Sequence, residues 1–209
     1  MRNRFQCMPA VLLALFTAAC GAARPVKYYQ LQVPQAAPAA VANPLPISLL
    51  LGRVTASHLY REDRIVYSLG SHEMGTYEYN RWAGPPDDMI QTLLISLLRT
   101  SGQYSSVERV SSNARGDYIL RGRLLSLEEV DKPSLAARFA IELDLFNPKT
   151  GTTVWSQSYS HDEPVNSGGG KRKKVDVADV VEALNRNVQQ GLAQLTAALG
   201  QYFVNHPAQ

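Results

Sequence analysis

The sequence predicts an α+β fold: a two-layer sandwich in which a mostly antiparallel sheet carries two helices on one face. Several stretches alternate apolar and polar residues with the period of a half-buried strand, most clearly residues 135–146. Two other stretches place apolar residues at helical spacing, one after Asp88 and one after Asp176. Because strand patterns flank the first helix and the second helix closes the chain, sheet and helices are expected to form separate layers.

Four strands are expected before the first helix, at residues 27–33, 46–54, 64–69 and 76–81. The first helix is expected to begin at Pro85-Pro86, because a proline in the first turn has no hydrogen bond to lose. It is expected to end at Gly102, a residue type that favours the helix C-terminus.

Strands are expected again at residues 106–110, 118–130 and 135–146. The turn at residues 147–151 (NPKTG) predicts a hairpin that returns along residues 152–161. The second helix is expected from Asp176 onward, with an apolar stripe from Val177 to Phe203.

The N-terminus has the pattern of a bacterial lipoprotein signal peptide. Arg2 and Arg4 form a cationic start, residues 9–19 are mostly apolar, and two alanines precede Cys20. An apolar run of ~11 residues is too short for a transmembrane helix, which needs about 20. The thiol of Cys20 could be acylated, for example with palmitate; an ordinary secretory signal with an incidental cysteine is the alternative. We therefore expect a signal peptide over residues 1–19, an acylated tether and Ala/Pro-rich linker over residues 20–45, and one globular domain over residues 46–205.

Charge and cysteine content narrow the class of function. The chain has 21 Lys+Arg against 18 Asp+Glu, and this near balance argues against nucleic-acid binding, which needs a strong basic excess. Cys7 lies inside the predicted signal, so the mature chain would keep one cysteine and could form no intramolecular disulfide.

The sequence offers no arrangement typical of an active site. The four histidines lack the spacing of metal ligands. Neighbouring carboxylates such as Glu128 and Glu129 point to opposite faces of a strand, so they are expected on a solvated surface and not as a catalytic dyad. The stretch Gly168–Lys171 lacks the first glycine and the Ser or Thr of a phosphate-binding loop. We expect no enzymatic activity, no catalytic residue, no metal and no cofactor.

Two groups of residues are candidates for contact with partners. Tyr77 and Tyr79 fall on the same side of a predicted strand and Trp82 stands at its end, an arrangement that suits a partner surface. The alternative is that these aromatic side chains pack as core beneath the first helix. A basic run is expected either to meet water or to contact anionic lipid headgroups, at about 1 kcal/mol per basic residue; it comprises Lys171, Arg172, Lys173 and Lys174.

The order and spacing of several stretches resemble the ABC-type transport auxiliary lipoproteins. These stretches are Cys20 followed by residues 28–31 (YYQL), Leu59 and Arg61 before residues 64–67 (RIVY), residues 77–83 (YEYNRWA) before Pro85-Pro86, and residues 104–107 (YSSV) after Ser101-Gly102. The likeness spans most of residues 20–199. Ala56-Ser57 departs from it, because the family would carry a proline before the Leu-x-Arg element.

The resemblance implies a non-enzymatic lipoprotein of paraquat-inducible-type lipid transport systems. Its implied partners are a mammalian-cell-entry (MCE) domain protein with its permease and ATPase. The lipoprotein would dock this periplasmic conduit for phospholipid at the outer membrane, held on the periplasmic face by acyl chains on Cys20. Self-association into a ring would suit an MCE tube, although the sequence leaves the oligomeric state open. Two other functions stay open: a lipid-binding shuttle or acceptor with an apolar pocket, and an activator of an envelope enzyme.

Overall fold

The computed structural model describes residues 24–32, 41, 43–70, 72–111, 113–131, 133–166 and 176–207. These residues form eight strands and two α-helices. The strands are β1 (Lys27–Tyr29), β2 (Leu45–Ala56), β3 (Arg64–Leu69), β4 (Glu73–Trp82), β5 (Tyr104–Arg109), β6 (Tyr118–Val130), β7 (Ala136–Asn147) and β8 (Thr152–Pro164). The helices are α1 (Pro86–Thr100) and α2 (Val177–Asn205), and a 3-10 turn spans His58–Tyr60. The predicted α+β class, with a mostly antiparallel sheet and two helices, is confirmed.

The sheet is organised around β6. Along one edge β6 pairs with β7 in an antiparallel ladder, and β8 extends the sheet beyond β7. Along its other edge β6 pairs in parallel with β2 and then, further along, with β3. Outside β2 lies β5, and outside β3 lie β4 and then β1. The sheet therefore divides into two branches on one side of β6, and the 3-10 turn joins β2 of one branch to β3 of the other.

The hydrophobic core lies between one face of the sheet and the two helices, which contact each other. On α2 the apolar stripe is fully buried: Leu184, Val188, Leu192, Leu195 and Leu199 are each 0 % exposed. Burying one such side chain contributes about 1.5–3 kcal/mol, so the stripe fixes which face of the helix meets the sheet.

A buried asparagine joins α2 to the last two strands. The Asn187 amide nitrogen donates to the carbonyls of Ala137 and His161, at 2.8 Å each, and its oxygen accepts a 2.9 Å hydrogen bond from the Tyr159 hydroxyl. One turn further along, a β-carbon at Gly191 would lie 2.6 Å from the Tyr159 ring. The glycine therefore permits the close approach of helix and sheet at which Asn187 reaches both strands.

The N-terminal segment is part of the globular domain. β1 pairs in parallel with β4, and Leu31 is 4 % exposed within the core. The Gln32 amide donates to Asn185 Oδ1 at 2.8 Å, and the Gln189 side chain donates to the Gln32 carbonyl at 2.8 Å. The domain start predicted at residue 46 is therefore too late. The pairing that holds β1 is with a strand far along the chain, and local composition carries no sign of it.

Among the described residues, no helix combines the length with the apolar character needed to cross a membrane.

Candidate functional site

The structure separates the three aromatic residues predicted for a partner surface. Trp82 is 1 % exposed and belongs to the core, so its predicted place on that surface is corrected in favour of the core alternative. The register of β4 against β3 shifts between the pairs Val66–Thr76 and Arg64–Arg81. Trp82 is the last residue of β4, three positions beyond Tyr79, and an odd spacing on a strand places it on the face opposite to the two tyrosines.

Tyr77 and Tyr79 are half-buried on β4. The Tyr77 ring meets the Tyr67 ring edge-on, with 5.2 Å between centroids, and its hydroxyl donates to Glu129 Oε2 at 2.7 Å. The Tyr79 ring lies beneath the guanidinium of Arg24, 5.9 Å from the ring centroid. A partner surface at these two tyrosines stays a prediction.

Two other predicted sites lie outside the described residues. They are the acylation site Cys20 and the basic run, which comprises Lys171, Arg172, Lys173 and Lys174. Both stay predictions.

A tyrosine–glutamate cluster forms where β6 passes from the β2 branch towards β3; it comprises Tyr60, Tyr77, Glu128, Glu129 and Arg138. Glu128 and Glu129 are adjacent on β6, so their side chains project from opposite faces of the sheet. Each carboxylate accepts a hydrogen bond from a different tyrosine. The Tyr60 hydroxyl donates to Glu128 Oε2 at 3.0 Å, as Tyr77 does to Glu129. Arg138 on β7 adds a cation 3.8 Å from Glu128 Oε1.

The expectation that the Glu128-Glu129 pair lies on a solvated surface is wrong for Glu128, which is 5 % exposed. Glu128 is flanked on one side by Val66 of β3 and on the other by Arg138 of β7, its partners in the two ladders. The 3-10 turn then brings Tyr60, itself 4 % exposed, onto the carboxylate. Strands on both sides and the turn above exclude water from a residue that sequence alone places at the surface.

Burial sets the electrostatics of the cluster. It raises the pKa of both Glu128 and Glu129, although the tyrosine hydroxyls, and Arg138 beside Glu128, oppose this by favouring the carboxylates. Burial also raises the pKa of Tyr60 and Tyr77, with a further contribution from the neighbouring carboxylates, so both phenols stay protonated donors at neutral pH.

Arg138 is held by a second carboxylate on β8. Its Nε and Nη2 donate to the two oxygens of Asp162 at 2.7 Å each, and this fork holds the pKa of Asp162 below its usual range. The chain Tyr60–Glu128–Arg138–Asp162 thereby links the 3-10 turn to three successive strands.

The hydrogen bonds of the cluster hold Tyr60 and Tyr77 against β6. The two carboxylates lie on opposite faces of β6, so they cannot act on one substrate. Within the described parts of the chain, no three His, Cys, Asp or Glu side chains are grouped closely enough to hold a metal ion.

Sequence reasoning missed Tyr60, which lies in a turn without any periodic pattern. One signal was present in β6. An acidic pair between Leu127 and Val130 interrupts an otherwise apolar strand end, and one member of such a pair must face the buried side.

A groove runs between the N-terminal segment and the start of α1, with a volume of about 800 Å³. Leu31, Met89 and Leu93 line it together with the polar side chains of Gln32 and Gln189. This open groove of mixed polarity differs from the apolar pocket that the shuttle alternative requires.

Comparison with known proteins agrees with the likeness found in the sequence. The family model described as "ABC-type transport auxiliary lipoprotein component" matches residues 29–196. A crystal structure of a protein from Xanthomonas campestris is 21 % identical with a TM-score of 0.69, over 81 % of this chain and 92 % of that one. A crystal structure of an uncharacterized protein is 16 % identical with a TM-score of 0.63, over 84 % of this chain and 99 % of that one. At these identities the likeness to the solved structures shows the fold alone. No curated protein matches the chain.

Proposed function

The chain belongs to the ABC-type transport auxiliary lipoprotein family, and we propose that it serves an MCE-type lipid transport system as a non-enzymatic component anchored in the outer membrane. The observation that carries this proposal is the family match over residues 29–196, which begins shortly after the lipoprotein pattern at Cys20. The auxiliary role in ABC-type transport comes from the family. What we propose beyond it is the partner, an MCE-domain protein with its permease and ATPase, and the location at the outer membrane.

The anchor follows from the chemistry of an acylated cysteine. Each buried methylene contributes roughly 0.8 kcal/mol, and a single acyl chain binds a membrane only reversibly. Several chains on Cys20 would hold the domain at the periplasmic face of the outer membrane with negligible release. The basic run at residues 171–174 would add contacts to anionic headgroups.

The docking surface is proposed at β1, the last strand of its branch among the described residues, and the adjoining part of β4. Tyr28 on β1 is 65 % exposed, and Tyr79 on β4 is half-buried beneath Arg24. Aromatic side chains with an apolar body and a polar tip are enriched at protein interfaces. Tyr77, which the sequence placed in the same group, would support this surface from the tyrosine–glutamate cluster.

Site-specific photo-crosslinking in intact cells tests the docking role. A photo-reactive amino acid replaces Tyr79 in one strain and Gln201, an exposed residue of α2, in a matched control. We expect an adduct with an MCE-domain protein from position 79 and none from position 201. Adducts only with an envelope synthase, or equal adducts from both positions, would contradict the proposal.

The anchor is tested separately by Cys20→Ser. We expect the variant to lose its membrane association while its circular dichroism spectrum stays that of the folded domain. A variant that still pellets with membranes would show that the acyl chains are not the anchor.

A further inference from the structure

The sheet face that points away from the helices carries a groove rich in arginine. It has a volume of about 820 Å³, and we call it the arginine groove, defined by Arg53 and Thr55 of β2 with Arg121 and Arg123 of β6. Arg109, at the end of β5, also lines it, and Gln91 of α1 reaches it beside the bulge described below. The arginine side chains come from three strands, and this part of the molecule is far in sequence from the basic run at residues 171–174.

An irregularity in β2 creates the groove. Leu51 pairs with Leu120 and Val54 pairs with Gly122, so two residues of β2, Gly52 and Arg53, oppose Arg121 alone. This is the arrangement of a β-bulge, which re-aims a side chain from the strand that carries it.

Gly52 and α1 hold the bulge in place. A β-carbon at Gly52 would lie 3.3 Å from the Leu120 carbonyl oxygen and 3.4 Å from Arg121 Cγ, so Gly52 packs closely against β6. From the opposite side, the buried side chain of Gln91 on α1 donates to the Gly52 carbonyl at 3.1 Å. The position of Arg53 is thus set by the core and does not depend on a mobile loop.

The charges in the groove are only partly balanced. Arg123 pairs with Glu142, and Asp144 of β7, the ladder partner of Arg121, is a carboxylate that also lines the groove. The guanidinium of Arg121 stacks on the Phe146 ring, 4.1 Å from its centroid, and the ion pairs among the described residues include neither Arg53 nor Arg121. Like charges on neighbouring strands cost stability, and an anion bound between them would remove that cost.

We propose that the arginine groove binds the phosphate of an anionic phospholipid headgroup. The planar guanidinium matches two phosphate oxygens at once, and stacking on Phe146 orients Arg121 before a ligand arrives. Ile119 lies in the same groove, and Val110, which is 49 % exposed, stands at its rim, so apolar surface is available to the methylenes beside the phosphate. The choice of a lipid over other phosphate-bearing ligands rests on the proposed function in lipid transport.

Titration of the full-length acylated protein in a non-ionic detergent tests this site. The probes are phosphatidylglycerol in mixed micelles, inorganic phosphate and a poly-glutamate peptide. The test variant is Arg53→Gln/Arg121→Gln. The matched control is Arg61→Gln/Arg115→Gln, which removes the same charge at two exposed arginines that do not line the groove.

We expect phosphatidylglycerol to bind the wild-type protein and the control alike. We expect the affinity of the test variant to fall at least tenfold at a melting temperature no lower than that of the wild type, because the variant also removes like charges on neighbouring strands. Equal affinities for wild type and test variant would overturn the proposal, and so would an equal loss in the control. Binding of inorganic phosphate or poly-glutamate as tight as that of the lipid, with the same dependence on Arg53 and Arg121, would assign the groove to a soluble anion or an acidic protein instead.

A failure here leaves the photo-crosslinking result at Tyr79 untouched, because that experiment reads out the protein partner and not a lipid. The two proposals can therefore fail separately.

Discussion

Replacing Tyr77 by phenylalanine removes one hydroxyl from the tyrosine–glutamate cluster and leaves the ring that packs on Tyr67. The lost contact is the 2.7 Å hydrogen bond to Glu129 Oε2. Glu129 keeps its place on β6, half-buried, without its donor. The substitution therefore isolates one polar contact on the β4 side of the sheet.

The loss of folding free energy in Tyr77→Phe depends on whether Glu129 is ionised. A hydrogen bond to a charged group contributes about 1.5–3 kcal/mol and a neutral one about 0.5–1.5 kcal/mol. Because both side chains are partly exposed, the lower end of each range applies. We expect Tyr77→Phe to lose about 1.5 kcal/mol where Glu129 is ionised and about 0.5 kcal/mol where it is protonated.

The sign of the pH dependence follows from burial, which raises the pKa of Glu129 above its ordinary value of 4.5. A carboxyl with a raised pKa stabilises the fold below its unfolded-state pKa, and this contribution is lost as pH rises through the folded-state pKa. The hydroxyl of Tyr77 limits the rise by favouring the carboxylate, so the effect of its removal grows with pH across this window.

Urea denaturation followed by tryptophan fluorescence, at pH values from 4 to 8, measures this dependence in the wild type, Tyr77→Phe, Glu129→Gln and the double variant. We expect a coupling energy of about 1 kcal/mol between the two positions at pH 8, since the amide that replaces the Glu129 carboxylate accepts only a neutral hydrogen bond. This expectation is refuted if Tyr77→Phe lowers the free energy of unfolding by the same amount at pH 4 and at pH 8, and by the same amount again in the Glu129→Gln background.

Two further substitutions test the parts that hold the strands together. Arg138→Gln removes the cation 3.8 Å from buried Glu128 together with the two hydrogen bonds to Asp162. It should cost about 1 kcal/mol at neutral pH, because Arg138 is partly solvated. The loss should be smaller in acid, where the Glu128 carboxyl is protonated, and urea midpoints that shift equally at pH 7 and pH 4 would count against this. Asn187→Ala leaves the buried Tyr159 hydroxyl without its acceptor and should cost about 2–3 kcal/mol. The same change in a Tyr159→Phe background should cost less, and equal costs in the two backgrounds would show that the hydrogen bond between them contributes nothing.

Local patterns in the sequence predict the secondary structure well because each element has one face against the core. The alternation of residues 135–146 corresponds to β7, and the apolar stripe after Asp176 corresponds to the buried face of α2. The stop expected at Gly102 matches its positive φ of 62°, a conformation that glycine adopts at no steric cost.

The candidate site was predicted only in part. Tyr77 lies in the cluster, while Trp82 was misplaced because its position at the strand end does not show that its side chain packs into the core. Tyr60 and Glu128 are in contact although they are 68 residues apart in the sequence. No local sequence pattern around either residue predicts this contact. Contacts of this kind depend on which strands pair, and pairing is decided by the free energy of the whole sheet.

From the sequence alone come the lipoprotein pattern at Cys20, the α+β class and the order of strands and helices, because charge, apolar length and periodicity are local properties of a chain. Tertiary structure alone decided that β1 belongs to the domain, that Glu128 is buried beneath Tyr60, and that Gly52 and Arg53 oppose Arg121. The physical reason is that the periodicity of a strand states which of its side chains share a face, whereas only the packed sheet determines which neighbours those side chains meet.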